Sequence, residues 1–336
     1  MLVKGEDLNY LSQSVLEHYD VNPVNIQVIQ SGGLKTVWKV ETDKGFICLK
    51  RLNKTPEVAL FSVEAQRYIH GRGGNVPGIL TDKTGNPIVT FQDQLFVLYE
   101  WIDGGHLNFM RREHLKIAME GLGRFHGFSM GYQPPEGSKI SMKLSKWPDQ
   151  YRSMINKLKE WKKQEEGIPQ SSVNMYRQWV DPMIEVGERA LTHLINSNYY
   201  EISNPESSVV VLCHQDYGPG NALSTPEGVV VLDLDGVTYE LAARDLRKTI
   251  LKSMEKMHKW DKALMDDILL WYETGRPMTD DERKMVYIDS LFPYSFFGKV
   301  KNQYLKGKPA KPSDIQELGR LELAKIEILE ASLRGE

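Results

Sequence analysis

The run His214-Gln215-Asp216-Tyr217-Gly218-Pro219-Gly220-Asn221, followed by Val229-Val230-Val231-Leu232-Asp233, puts two carboxylates and an amide at the ends of two short apolar segments. Phosphoryl transfer calls for these parts: a carboxylate to orient an attacking hydroxyl and take its proton, and an amide with a second carboxylate to hold Mg²⁺. Upstream, Lys50 closes the strand-like Phe46-Ile47-Cys48-Leu49 and is placed to meet a phosphate. Glu64, fourteen residues later, lies on the helical stretch that follows and is placed to pair with Lys50. The Gly32-Gly33 turn between two strand-like segments is placed to lie over phosphates. It lacks a full G-x-G-x-x-G, so a plain hairpin accounts for it equally.

These residues need elements to carry them, and the periodicity supplies two kinds. Residues 6–19 read as a short helix. Strand-like segments follow at Ile26–Ile29, Val37–Glu41 and Phe46–Arg51, with Asp43-Lys44-Gly45 as a hairpin signal between the last two. Helical spacing returns at 57–70, then strands near Ile88–Phe91 and Leu95–Glu100, separated by Gln92-Asp93-Gln94. Past Asp103-Gly104-Gly105 the pattern is mostly helix, at 111–129, 147–165, 171–197, 243–258, 261–273, 281–291 and 313–333, the last opening on the capping-box spacing Ser313 to Gln316. Two apolar strands, Val209–Cys213 and Val229–Leu232, interrupt the helices and carry the acidic residues. The expected architecture is α+β in two lobes: a small antiparallel-sheet lobe over residues 1–102 and a larger, mainly helical lobe over 103–336.

Composition excludes several alternatives. A net charge of −3 lacks the basic balance that binding a nucleic-acid backbone usually needs. No stretch approaches the length of a membrane span, and the N-terminal residues carry Glu6 and Asp7 where a signal peptide needs an apolar run, so a cytoplasmic protein with neither nucleic-acid nor membrane partners is expected. Two cysteines, Cys48 and Cys213, make neither a disulfide framework nor a metal motif.

With these residues in place, the chain resembles the protein-kinase-like superfamily, within it the aminoglycoside phosphotransferase and choline kinase branch. The pattern His-x-Asp-x-x-x-x-Asn is met by His214, Asp216 and Asn221. The resemblance implies a catalytic base at Asp216, metal ligands at Asn221 and Asp233, and the strand lysine and its glutamate partner at Lys50 and Glu64. It also implies ATP and Mg²⁺, with adenine facing backbone groups near Glu100 and Ile102 in the hinge-like segment Leu95–Gly104. Asp245, in the Ala243-Arg244-Asp245-Leu246 segment, follows Asp233 by only twelve positions, leaving no room for a protein-kinase activation segment. HQDYGPGN together with LDLDGVTYELAARDLRK is similar to the CotS-type family of spore coat proteins. That similarity implies production in the mother-cell cytoplasm, deposition in the spore coat and coat proteins as partners.

Plainer readings stand beside these. Alternation puts Cys48 on the same strand face as Lys50, and it reads as a small buried residue rather than a reactive thiol. His214 and His126 read as structural, and Asp245 as an anchor for the loop that carries Asp216. Asp235 is either an accessory ligand or a turn residue, and Lys35 and Thr36, in the loop of the Gly32-Gly33 turn, are weak candidates for a phosphate that the reading does not adopt. Residues 138–163 hold eight Lys or Arg against two Asp or Glu, which reads first as a solvated face and second as a surface for an acidic acceptor or coat partner. The expected activity is phosphorylation of a small-molecule hydroxyl, the acceptor being unspecified. The alternative is a structural coat protein that keeps the fold with little or no turnover.

Overall fold

In the computed structural model, which describes residues 7–32, 35–164 and 171–335, the first hundred residues form a sheet with helices on its two faces. Helix α1 (Leu8–Leu16) is capped by Asp7, whose carboxylate accepts from the N–H groups of Asn9 and Tyr10. Strands β1 (Pro23–Gly32), β2 (Lys35–Thr42) and β3 (Gly45–Leu52) follow, then α2 (Pro56–Gly71), β4 (Ile79–Leu80), β5 (Val89–Phe91) and β6 (Gln94–Glu100). The order is β1-β2-β3-β6-β4, with β5 also on β6, and each pairing is antiparallel. The turns obey their chemistry. Gly45 adopts φ +117° at the β2–β3 corner, and Gln92 and Asp93 take φ 49° and 58° in succession, as a type I′ hairpin turn requires.

The two faces have separate jobs. Trp38, Val40, Ile47 and Leu49 pack on Leu11, Val15 and Leu16 of α1. Leu52, Val97 and Tyr99 pack on Ala59 and Val63 of α2, with Cys48 at the edge of that cluster. Because side chains alternate along a strand, Lys50 shares the face of Cys48, towards the second half of the chain.

The second half opens with β7 (Gly105–His106), α3 (Arg112–Ser129), α4 (Trp147–Gln164), α5 (Ser171–Ile195) and α6 (Tyr199–Ile202). Then come β8 (Val210–Cys213), β9 (Ala222–Thr225), β10 (Gly228–Val231), a 3₁₀ turn at Leu234–Gly236 and β11 (Thr238–Leu241). Helices α7 (Ala243–Met257), α8 (Lys262–Gly275), α9 (Asp280–Leu291), α10 (Tyr294–Lys306), α11 (Pro312–Ala324) and α12 (Ile326–Arg334) close the chain. One apolar core spans these helices and includes Trp147, Trp161, Trp260 and Trp271. Helices α3 and α8 touch backbone to backbone: a Cβ on Gly123 would run into the Tyr272 carbonyl, and one on Gly275 into that of Glu120. No helix among the described residues is long and apolar enough to cross a membrane.

The α+β architecture is as expected, with two corrections near the C-terminus. The helix expected over 313–333 is two helices. Their junction residue, Lys325, is buried, its ammonium donating to the Phe292 carbonyl at 3.0 Å and pairing with Glu322. The Ser313 capping box is absent because the helix starts earlier: Pro312, with φ already locked near the helical value, takes the first helical position and leaves Ser313 inside. Helix α10 was not expected from the sequence, although Phe296, Phe297 and Val300 form its buried stripe.

Candidate active site

Two cavities meet at one carboxylate. The first, about 450 Å³, lies between the sheet and the helical half. Val37 and Cys48 line it from the sheet, Leu223 and Leu232 from the opposite side, and Glu100 and Ile102 from the connecting segment. Lys35, Lys50, Asn221 and Asp233 stand together on its wall. The second, about 330 Å³, is lined by Asp216, Gln215, Asn53 and Lys54, and again by Lys35 and Asp233.

Asp233 is the meeting point. Lys35 and Lys50 each place an ammonium 2.8 Å from one of its oxygens, and Lys50 reaches Asp235 at 2.8 Å as well. Burial alone would raise the Asp233 pKa, but the two lysines outweigh it and hold the carboxyl well below the ordinary range. The same pairing lifts the Lys35 ammonium above its usual value against its own partial desolvation. Asp233 sits at φ 59°, ψ 60°, the left-handed region that a non-glycine residue enters only at a cost.

Asp216 is held by its backbone while its side chain stays free. Its N–H donates to Nδ1 of His214 at 3.3 Å, and its carbonyl accepts from Asn221 Nδ2 at 2.9 Å. Among the described residues its carboxylate makes no hydrogen bond. The His214 ring lies 2.7 Å from the Leu232 carbonyl through Nε2. A carbonyl only accepts, so Nε2 carries the hydrogen and Nδ1 is left to receive Asp216 N–H. His214 therefore ties the loop of Asp216 to the strand end that delivers Asp233.

Beneath that loop, Asp245 in the first turn of α7 accepts from the N–H groups of His214 at 2.6 Å and Gln215 at 3.0 Å. His126 on α3 adds a third contact at 3.3 Å and takes its other partner from the Tyr272 hydroxyl at 3.0 Å. Burial opposes the charged form of Asp245, yet the contact with His126 and nearby positive groups bring its carboxyl down to about 2. Burial keeps His126 below its usual value. Cys213, His126 and Asp245 come within metal-binding distance of one another, but the cysteine is committed to the Leu241 carbonyl and the other two to this brace.

The expected residues fare differently. Lys50, Asn221, Asp233, Glu100 and Ile102 line the first cavity and Asp216 the second. Ile102 has neither backbone group hydrogen-bonded among the described residues, whereas the N–H of Glu100 is committed to the Gly78 carbonyl at 2.9 Å. Cys48 lines the slot with its thiol pushed up to about 11 by burial, against the pull of Lys50, so it is a wall rather than a nucleophile. Glu64 corrects the expectation: it pairs with Arg67 one turn along α2 at 2.8 Å, while Lys50 is taken up by Asp233 and Asp235. The reason is the facing of α2, where Ala59 and Val63 meet the sheet and Phe61, Ala65 and Ile69 meet the helical core, leaving Glu64 between them. Gly32 ends β1 opposite Lys35 and does not line either cavity. Gly33 lies outside the described residues. The residue underrated from sequence is Lys35. Its signal was the alternation of β2, which puts Lys35 on the same face as Val37, opposite the buried Thr36 and Trp38.

Fold and site together define a protein-kinase-like phosphotransferase architecture, with a sheet lobe, a helical lobe and the charged residues between them. Residues 25–283 match the model of the phosphotransferase enzyme family (APH), and the chain belongs to that family. It is similar to spore coat protein S of Bacillus subtilis, with 26% identity over 308 residues covering 91% of this chain and 88% of the relative. Among solved structures it is similar to an aminoglycoside phosphotransferase from Alicyclobacillus acidocaldarius, with a TM-score of 0.77, 21% identity, and coverage of 96% and 95% of the two chains. It also resembles amicoumacin kinase hAmiN in complex with AMP-PNP, Ca²⁺ and Ami, with a TM-score of 0.61, 16% identity, and coverage of 97% and 94%.

Proposed function

We propose that the chain is an ATP- and Mg²⁺-dependent phosphotransferase that phosphorylates a hydroxyl of a small molecule, and that it is made in the mother-cell cytoplasm and works in association with the spore coat and its proteins. The observation that carries the catalytic reading is the position of Asp233, which forms part of both cavities: the slot that reaches Ile102 on one side and the pocket of Asp216 on the other. Adenine fits the apolar slot against the free backbone groups of Ile102, with the phosphates running towards Lys50 and Lys35. The donor set fits a hard divalent cation, since Asp233 is ionised and Asn221, whose Nδ2 is engaged, keeps Oδ1 available. When bound, that cation supplies positive charge at the β- and γ-phosphates.

Asp216 orients the acceptor hydroxyl and takes its proton. The hydroxyl oxygen bonds to the γ-phosphorus as the bond from that phosphorus to the β–γ bridging oxygen breaks, and ADP leaves. Positioning and charge supply most of the rate. The amicoumacin kinase with its bound ATP analogue supports the nucleotide assignment, and the similarity to spore coat protein S supports the location.

The test is a thermal-shift titration with ATP, with and without Mg²⁺, on wild type and Asp233→Asn. A ligand confined to the folded state adds about 2.7 kcal/mol at 100 times its dissociation constant. Stabilisation that needs Mg²⁺ and is lost in Asp233→Asn is the expected result. No shift at millimolar ATP would sink the reading in favour of a coat component that keeps the fold without turnover.

A further inference from the structure

Beside Asp216 two ammonium groups converge on one neutral oxygen. Lys143 Nζ lies 3.1 Å from Gln215 Oε1, and Lys248 Nζ lies 3.3 Å from the same atom while also donating to the Gln215 carbonyl. The amide nitrogen of that side chain, Nε2, is buried without a hydrogen-bond partner. Like charges that share a neutral acceptor repel one another, and burial together with neighbouring cations, Lys143 among them, keeps the Lys248 ammonium below its ordinary range despite Asp245.

The wall that carries Lys143 is fixed in place. Tyr239 N–H donates to the Ser141 carbonyl at 2.9 Å and Lys143 N–H to the Tyr239 carbonyl at 3.0 Å, so residues 141–143 lie against β11. Residues 138–148 contain three lysines and no carboxylate. Lys143 reaches the 330 Å³ cavity through its lining residue Gln215, while Lys54, in the turn before α2, lines the cavity itself and has no carboxylate partner among the described residues. Of the carboxylates in the cavity, Asp233 and Asp235 are matched by Lys35 and Lys50. Beyond those pairs the cavity presents Lys54 and the free carboxylate Asp216, with Lys143 and Lys248 standing on its lining residue Gln215. A polycationic acceptor such as an aminoglycoside would meet repulsion there.

We propose that the acceptor carries, besides its hydroxyl, a compact oxyanion, a phosphate or a carboxylate, which Lys54 and Lys143 bind while Gln215 lends its unpartnered amide. This rests on the phosphotransferase reading above and narrows its substrate class. The acceptor spans the pocket with the hydroxyl at Asp216 and the anion at the lysines.

The experiment uses wild type, Lys54→Gln, Lys143→Gln and Lys143→Arg, each saturated with Mg²⁺ and a non-hydrolysable ATP analogue so that the γ-phosphate position is filled. Inorganic phosphate, glucose 6-phosphate, gluconate, glucose and glucosamine are then titrated calorimetrically. Phosphate should bind wild type, lose at least about tenfold in affinity in either glutamine variant, and recover in Lys143→Arg. A preference for glucose 6-phosphate or for gluconate over glucose identifies the anion as phosphate or carboxylate. Phosphate that fails to bind, or binds the glutamine variants as well as wild type, overturns the proposal, as does glucosamine binding better than the anions. The analogue's own thermal shift separates the two levels. A shift without phosphate binding defeats only the anionic acceptor. A missing shift defeats the phosphotransferase reading, and the same phosphate titration on nucleotide-free protein then decides whether the lysines still form an anion site.

Discussion

Replacing Asp245 by asparagine isolates the brace under the Asp216 loop, and the structure sets the size of the effect. The carboxyl is held at about 2 against an ordinary value near 4. A lowering of that size corresponds to roughly 2 kcal/mol of stability at neutral pH. The substitution keeps one acceptor oxygen, so one of the two N–H donors, from His214 or Gln215, meets an amide nitrogen instead; a buried donor left unpaired costs about 1–3 kcal/mol. The two costs overlap, because the same contacts favour the charged form, and we expect a loss of about 3 kcal/mol. The sign with pH follows from the depressed carboxyl. Its contribution is complete above the unfolded-state value near 4 and disappears as pH falls towards 2. Urea unfolding of wild type and Asp245→Asn at pH 7, 4, 3 and 2.5 should therefore show the two converging as the solution is acidified. Other depressed carboxylates, Asp289 among them, contribute to acid sensitivity in both proteins and cancel in the difference. Equal stability at pH 7, or a gap that stays constant down to pH 2.5, would refute the account of Asp245 as an ionised brace.

Asp216→Asn should lower turnover by about 10²–10⁴ while leaving the Mg²⁺-nucleotide thermal shift in place; undiminished turnover in a steady-state assay would remove Asp216 from its role. Glu64→Gln should change unfolding free energy by less than about 0.5 kcal/mol and leave turnover near wild type, because its pair with Arg67 is an ordinary surface contact. A collapse of activity in that variant would mean that Lys50 depends on Glu64 after all. Gly123→Ala forces α3 away from α8, and the melting curve should report a loss of about 1–3 kcal/mol; an unchanged melting temperature would show that the helices have slack.

Much of this was legible in the residues because the relevant signals are local. Period-two alternation in Phe46–Arg51 correctly placed Cys48 and Lys50 on the cleft face, and the Asp43-Lys44-Gly45 turn correctly marked a hairpin. Long helices with strong apolar periodicity, such as α3 and α7, were found close to their true ends. What escaped depends on tertiary context. Strands of two residues, β4 and β7, exist only because a partner strand is there to pair with them. The pairing of Glu64 could not be read from its distance to Lys50 in sequence, since the rotation of α2 about its axis is decided by which residues the two lobes bury. Lys35 was undervalued because its partner, Asp233, lies 198 residues away. The lysines on Gln215 come from segments far apart in sequence, Lys143 from the stretch held against β11 and Lys248 from α7.

The backbone itself bears on whether this site is a working one. Gln215 adopts φ 70° and Asp233 φ 59°, each in a region that costs a non-glycine residue about 1–3 kcal/mol. The chain holds both in place with dedicated contacts: Asp245 fixes the N–H of Gln215, and His214 links the Asp216 N–H to the Leu232 carbonyl just before Asp233. Neither side chain belongs to the apolar cluster, but the backbone around Asp233 is tied to it, since the neighbouring Leu234 is buried there. The strain does bring Asp216 and Asp233 to a shared pocket from two different strands, with Lys35 and Lys50 already on the second of them. That shared pocket is the arrangement the proposed phosphoryl transfer would use, and the assays on Asp216 and Asp233 test it directly.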